Sequence, residues 1–251
     1  MVDRVEQAVA TILHQRPYRE TSLLIEAFSR DYGRIALVAN GARRPKSRLR
    51  ALLQPLQELS LSWTQRSELA TLRQAESLSA NLTLTGDGLF AGFYANELLM
   101  RLCIRGDPHA DLYDSYRQCL QQMAQAIAPG WALRLFERDL LDAIGYGLLL
   151  NFEVDSGAAV QAGMRYHFDP QQGPRRINQS GQNGGAAGIS GACLLALHAG
   201  DLSDPQLRRE AKTILQAALQ LHLGDRPLNS VQTLKQLQAG NRQMAIEGKG
   251  S

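Results

Sequence analysis

The sequence predicts an α+β protein: a small five-stranded barrel at the N-terminus, then an all-helical domain carrying a small hairpin and loop insertion. Three observations carry this. Five short β-rich runs fall within about the first 75 residues, with no helix among them long enough to cross over a sheet. After Thr85 the hydrophobic period changes from two residues to about 3.6. The helical pattern then breaks once, at about residues 151–188, and resumes. A chain of 251 residues can bury a sizeable core, in one large domain or two ordinary ones.

Residues 9–13, 22–28 and 34–38 are β-rich, and Ser29-Arg30-Asp31-Tyr32-Gly33 makes a tight connection between the last two. Leu59, Leu61 and Trp63 alternate with Ser60, Ser62 and Thr64, the signature of a strand with one buried face. Residues 69–75 are the fifth strand. An OB-fold is the commonest barrel of this size and strand count, so an OB-fold domain is expected over residues 1–80. Residues 89–104 are apolar nearly all round, as in a helix surrounded by protein. Leu112, Tyr116, Leu120, Met123 and Ile127 define an amphipathic helix that Pro129-Gly130 should end. Leu133, Phe136, Leu140 and Ile144 mark the next, with Gly145 placed to terminate it.

In the insertion, residues 164–168 and 175–177 can form a hairpin around residues 169–174, and the glycine-rich residues 181–188 should be a flexible linker. Helix resumes at Ser190. Asp204-Pro205 is an N-cap followed by proline at the first helical position, and Leu207, Ala211, Ile214, Leu215, Ala218 and Leu221 give that helix its buried face. Ser230 is expected to cap a last short helix containing Leu234 and Leu237. The helical domain therefore reads as residues 81–239, and residues 240–251 as a disordered tail.

Several chemistries are excluded by spacing. The five histidines form no H-x-x-x-H pair and lie near no cysteine at ligand spacing. Gly181-Gln182-Asn183-Gly184-Gly185 fits neither a P-loop nor a dinucleotide loop, and Ser190 lacks the flanking glycines of a nucleophile elbow. Asp139 and Asp142 have no third carboxylate beside them. The expectation is a non-enzymatic protein with no catalytic residue, no metal and no cofactor. No apolar run approaches the ~18 residues that span a bilayer, and the N-terminus lacks the basic-then-apolar layout of a signal peptide. A cytoplasmic protein without a membrane partner is expected. Cys103, Cys119 and Cys193 are odd in number and widely spaced, which favours free buried thiols.

Charge supplies the positive signal. The net charge is only +3, but residues 1–80 hold 12 Lys/Arg against 8 Asp/Glu. Residues 34–50 carry Arg34, Arg43, Arg44, Lys46, Arg48 and Arg50 with one acid-free stretch between two strands. Arginine offers planar donors to phosphate oxygens, lysine a point charge, and the Ser47 hydroxyl a further donor. A basic run of this length can also be merely solvated. Its attachment to a small barrel favours nucleic acid, because OB barrels bind single strands through a charged groove with aromatic platforms. Tyr18 and Tyr32 are the candidate platforms, with partial burial as the alternative; Trp63, on the apolar side of its strand, reads as core.

Arg16-Pro17-Tyr18-Arg19-Glu20-Thr21-Ser22, Tyr32-Gly33-Arg34, Gly41-Ala42-Arg43-Arg44-Pro45-Lys46-Ser47-Arg48 and Leu53-Gln54-Pro55-Leu56 occur in this order. Together with Glu97-Leu98-Leu99, Leu133-Arg134-Leu135-Phe136-Glu137, Ile144-Gly145-Tyr146 and Leu223-Gly224-Asp225-Arg226-Pro227-Leu228-Asn229-Ser230, they resemble the RecO family of DNA repair and recombination mediators. The resemblance covers nearly the whole chain apart from residues 151–188 and the tail. It implies a nucleoid-associated bacterial protein of the RecFOR pathway that binds single- and double-stranded DNA and anneals complementary strands. It also implies work with RecR to help RecA replace single-strand-binding protein (SSB), without hydrolysing a nucleotide. Many family members hold zinc with two C-x-x-C pairs in the segment matching residues 151–188; this chain has no cysteine there, so a hairpin held by packing alone is expected.

The resemblance further points to a receptor for the acidic C-terminal tail of SSB. Such a receptor should pair a cation with an apolar pocket. Arg134 and Arg138 would supply the cation, and Tyr116, Leu120 and Met123 the pocket if their helices pack as a hairpin. The alternative is that Arg134 simply pairs with Glu137 or Asp139. At the level of the whole protein, an RNA- or ribosome-associated OB-fold protein would share the basic barrel.

Overall fold

The computed structural model describes residues 3–65, 69–78, 82–125, 129–177, 188–233 and 236. The chain divides into two compact units, residues 1–127 with 225–251 and residues 128–224. The first helices after the barrel thus group with the barrel and not with the later helices.

In the first unit β1 (Asp3–Tyr18), β2 (Ser22–Ser29), β3 (Gly33–Ala39), β4 (Glu58–Gln65) and β5 (Ala70–Ser77) close a barrel in the order β1-β2-β3-β5-β4. Only β3 and β5 pair in parallel. A five-stranded barrel with β1 bonded to both β2 and β4 is the OB arrangement. The hydrophobic pattern shows only residues 9–13 of β1, because the strand serves two neighbours in turn. Its first half pairs with β4 and its second with β2, and bulges between Val5 and Ala8 and between Ile12 and His14 bend it and break the alternation. Ile12, Ile25, Leu37, Leu59, Leu61 and Trp63 fill the barrel, so Trp63 is core.

In the same unit α1 (Leu49–Leu52) lies between β3 and β4, and α2 (Gly86–Leu102) and α3 (Ala110–Ala124) follow β5. They are fixed to the barrel by buried polar contacts as well as packing. Asn96 Nδ2 donates to the carbonyl of Leu13, the extra residue of the second bulge, at 2.8 Å. The Tyr113 hydroxyl lies 3.1 Å from Thr11 Oγ1 and donates to Glu58 Oε1 at 3.0 Å. Gly33, at φ +64°, admits the backbone of Asp107 so closely that a Cβ would lie 2.0 Å from its carbonyl oxygen. Only glycine fits there.

Glu97 makes the other tie. Its Oε1 accepts from Asn229 N at 2.9 Å, and its Oε2 from Ser230 N and Ser230 Oγ at 2.9 and 2.8 Å. Ser230 therefore does not cap the last helical turn, which starts at Asn229; it is itself capped, by a carboxylate 133 residues away in sequence. Orphan N–H groups at a helix start need an acceptor, and a buried carboxylate satisfies two of them.

The second unit holds α4 (Pro129–Ala143), β6 (Arg165–Asp169), β7 (Gly173–Arg176), β8 (Ile189–Ser190), α5 (Gly191–Ala199) and α6 (Pro205–Leu223). Pro129-Gly130 opens α4 instead of closing α3, since proline suits the first helical turn, where its missing N–H is not needed. Gly145, at φ +84°, does terminate α4. The hairpin appears as β6–β7, in register from Tyr166 opposite Arg176 to Asp169 opposite Gly173, and β8 adds to the free edge of β6. Packing alone does not hold it. The fully buried Tyr166 donates its hydroxyl to Glu153 Oε1 at 3.2 Å and accepts from Gln161 N at 2.9 Å, while Ser156 Oγ donates to Glu153 Oε2 at 2.7 Å.

Asp204 caps α6 as its sequence position suggests, accepting from Gln206 N, and Ser190, where helix resumes, caps α5 by accepting from Cys193 N. The buried face of α6 runs through Ala211, Ile214, Leu215, Ala218 and Leu219, with Leu221 turned outward. None of the three cysteines is in a disulfide, and all three are buried. Burial pushes the Cys103 thiol up to about 11 and the Cys193 thiol up to about 12. No helix of the described residues is long and apolar enough to cross a membrane. The glycine-rich residues 181–187, Ile127, Leu234, Leu237 and the tail lie outside the described residues.

Candidate nucleic-acid interface

The loop after β3 emerges beside the β1–β2 hairpin, because antiparallel pairing sets Leu23 opposite Ala39. Gly41 takes φ +71°, the Arg44 N–H closes one turn on Gly41 O at 3.1 Å, and the Ser47 N–H closes another on Arg44 O at 3.0 Å. Successive tight turns leave Arg43, Arg44, Lys46 and Arg48 exposed and Ser47 half-buried. The loop is also anchored. Ala42 is fully buried beneath it, Arg43 N donates to Thr21 O at 2.8 Å, and Arg43 Nη1 donates to the carbonyls of Arg19 and Glu20, both at 3.2 Å.

Arg50 is not a loop residue: it falls on the single turn of α1. Gln15, Arg16, Pro17, Leu23, Arg43 and Arg50 line an open cleft of about 390 Å³. Tyr18, half-buried at the end of β1, carries the Arg19 guanidinium 5.1 Å from its ring centroid, within range of a cation–π contact. The cleft thus adds Arg16 to the basic residues of the loop, and Arg19 adjoins them through the bond of its carbonyl to Arg43. Their signal in sequence was only that they flank Tyr18; the β1–β2 hairpin carries them to the loop.

The electrostatic distinction lies in pairing. Elsewhere in this unit Arg4, Arg30, Arg101, Arg105 and Arg117 are paired with Glu6, Asp114, Glu97, Glu26 and Glu58. Among the described residues, Arg16, Arg43, Arg44, Lys46, Arg48 and Arg50 form no salt bridge. Their charge is left for an external anion, and an unpaired cluster raises the local positive potential more than the same count of neutralised pairs.

Arg34 and Tyr32 do not join this cluster. They sit at the other end of β2 and β3, a strand length of roughly 23 Å away at ~3.3 Å per residue. The Arg34 guanidinium donates to the carbonyl of Met100, and burial pushes its pKa down against the opposing effect of Glu26. Tyr32 is 41% exposed, with its ring centroid 5.1 Å from that of Trp63 at an interplanar angle of 81°.

Tyr116, Leu120 and Met123 are buried in the first unit, and the Tyr116 hydroxyl donates to Asn96 Oδ1, so the apolar stripe of α3 is core. In the second unit Arg134 is only 7% exposed and pairs with Glu137 at 2.8 Å. Arg138 pairs with Asp139 at 2.7 Å and donates to the Leu197 carbonyl at 2.8 Å. The internal ion pair of Arg134 is therefore present, and it is buried where a surface pair was the expected alternative. Among the described residues no group of three or more His, Cys, Asp or Glu side chains is placed to hold a metal ion.

Comparison with known proteins bears on what this basic barrel serves. The family description Recombination protein O N terminal matches residues 3–81, and Recombination protein O C terminal matches residues 84–232. The DNA repair protein RecO of Nitrosococcus oceani is 44% identical over 234 residues, covering 93% of this chain and 94% of its own. That of Burkholderia pseudomallei is 44% identical over 235 residues, covering 94% and 85%. That of Aromatoleum aromaticum is 42% identical over 236 residues, covering 94% and 97%.

Proposed function

Because this chain belongs to the RecO family, we propose that it mediates recombinational repair of gapped DNA by binding strands rather than by catalysing a reaction. It binds single- and double-stranded DNA without sequence preference, anneals complementary strands, and with RecR helps RecA take over strands coated by SSB. The observation that carries this is the unpaired basic cluster of Arg16, Arg43, Arg44, Lys46, Arg48 and Arg50 around one end of an OB barrel. Each phosphate that these cations neutralise releases counterions, which drives binding with no need to read a base. Two strands held at one basic surface repel each other less, which lowers the barrier to pairing. Tyr18 beside Arg19 offers a stacking face at the edge of the same surface.

The SSB tail is assigned to α4 in the second unit. Of its two arginines Arg138 is the more exposed, so it receives the tail carboxylate in exchange for Asp139. Binding of a tail peptide that is unaltered by Arg138→Ala places that contact elsewhere.

The test of the main reading is annealing of complementary oligonucleotides coated with SSB, without nucleotide. The chain should accelerate pairing, and replacing Arg43, Arg44, Lys46 and Arg48 with Ala should slow it at least about tenfold, the effect of roughly 1.4 kcal/mol. An unaltered rate in the folded quadruple variant removes the cluster from the mechanism. A strong preference for RNA over DNA in competition replaces the repair reading with an RNA-associated one.

A further inference from the structure

We infer that the cleft beside the basic loop seats a strand end: it takes the terminal phosphomonoester of a DNA strand, while the loop tip meets backbone diesters. This rests on the proposal that the barrel binds DNA, and it names the ligand for one part of that surface. Arg16 near the end of β1, Arg43 in the loop and Arg50 on α1 reach the cleft from three separate segments. Gln15, Pro17 and Leu23 complete its lining, so no acid is among those residues. Arg44, Lys46 and Arg48 are exposed but lie outside that lining.

The cleft is held in shape by hydrogen bonds. Gln15 Nε2 donates to Gln54 Oε1 at 3.0 Å, and Gln54 Nε2 donates in turn to the Arg50 carbonyl. The strand segment carrying Arg16 is thereby tied to the helical turn carrying Arg50. Arg43 Nη1 is committed to the Arg19 and Glu20 carbonyls, which leaves its Nε and Nη2 without a partner among the described residues. Cations held in place before a ligand arrives lose less freedom on binding it.

Charge and shape together select a terminal phosphate. A diester within a strand carries one negative charge and two free oxygens, whereas a terminal monoester carries about −1.5 to −2 at neutral pH and three acceptor oxygens. Three guanidiniums without an ion pair around one cleft match the second set, because each meets phosphate oxygens with paired N–H donors. A carboxylate, with one charge and two oxygens, leaves part of that set unmatched. At about 390 Å³ the cleft is near the small end of ligand sites, with room for one phosphate and its sugar but not for a run of backbone. Pro17 and Leu23, register partners across β1 and β2, give the sugar an apolar wall. One border of a gap in DNA is such a strand end, so the cleft places the barrel at the edge of the gap.

The experiment displaces a labelled oligothymidylate from the full chain, read by anisotropy. The competitors are unlabelled strands of one short length that end in a 5′ phosphate, in a 3′ phosphate, or in hydroxyls at both ends, together with thymidine 5′-monophosphate. A strand with a terminal phosphate should displace the label at a concentration at least about fivefold below that of the hydroxyl-ended strand. That is the effect of a charge-assisted hydrogen bond after screening in an open cleft; the phosphate position that gives it names the end. Arg16→Ala and Arg50→Ala should each bring that ratio to within about twofold of unity. Arg44→Ala should weaken every strand and keep the ratio. Equal displacement by all strands overturns the cleft while leaving the basic cluster standing, and so does a preference that survives both cleft substitutions. The mononucleotide displacing as well as the phosphate-ended strand makes the cleft a nucleotide site and overturns the strand-end reading. A labelled strand that never binds overturns DNA binding itself, and the cleft with it.

Discussion

Glu97→Gln is the substitution whose consequence is most fully determined by geometry. The wild-type carboxylate accepts three hydrogen bonds from Asn229 and Ser230 and lies 3.4 Å from Arg101, whose guanidinium also donates to the Pro227 carbonyl at 2.8 Å. A glutamine keeps one oxygen for one N–H but turns an NH₂ toward the other donors, and it removes the charge opposite Arg101. At about 1.5–3 kcal/mol for a hydrogen bond to a charged group, and with neighbouring losses not additive, the expected cost is about 2–3 kcal/mol at pH 7. Chemical denaturation should show that cost, and limited proteolysis should show faster cleavage near residues 224–233.

The pH dependence gives a second readout. Burial pushes the Glu97 carboxyl up, but the backbone N–H groups of Ser230 and Asn229, the Ser230 hydroxyl and Arg101 together outweigh it and hold it below its ordinary value. A carboxylate depressed in the folded state contributes stability above its unfolded pKa of about 4.3 and loses it as pH falls through the folded value. The gap between wild type and Glu97→Gln should therefore be full at neutral pH and shrink on acidification below about 4.3. A variant within about 0.5 kcal/mol of wild type at pH 7, or a gap independent of pH, refutes the assignment of Glu97 as the cap.

Three other outcomes are expected. Replacing Arg43, Arg44, Lys46 and Arg48 with Ala should flatten the dependence of log affinity on log salt for single strands by about 0.7 per lost phosphate contact, up to about 2.8 in all; an unchanged slope by anisotropy places the phosphates elsewhere. Gly33→Ala should cost at least about 2 kcal/mol more than Gly106→Ala, since both demand positive φ but only Gly33 abuts the Asp107 carbonyl; equal melting temperatures for the two would contradict that close approach. Tyr166→Phe should destabilise by about 1.5–3 kcal/mol, because it strips a donor from buried Glu153, with DNA affinity unchanged. A neutral result in urea denaturation would leave the hairpin to packing.

The residues that speak through local periodicity or chemistry were readable from the chain alone. The OB barrel follows from short β-rich runs, and the N-cap Asp204, the β6–β7 hairpin and Gly145 act within a few residues of themselves, so no distant partner decides them. The basic loop is likewise a contiguous string. Tertiary structure decided whatever depends on residues far apart. It extended β1 past its visible pattern, because a bulged strand shared by two neighbours has no single alternating face. It turned Pro129 from a stop into a start, since proline is compatible with either side of a helix boundary. It separated Arg34 and Tyr32 from the loop they adjoin in sequence and brought Arg16 to it, because a strand carries its two ends to opposite ends of the barrel. It also buried the apolar stripe of α3 and the Arg134 ion pair, where charge and periodicity alone allowed a partner's pocket. Burial is a property of what packs above a residue, and a single sequence does not contain that information locally.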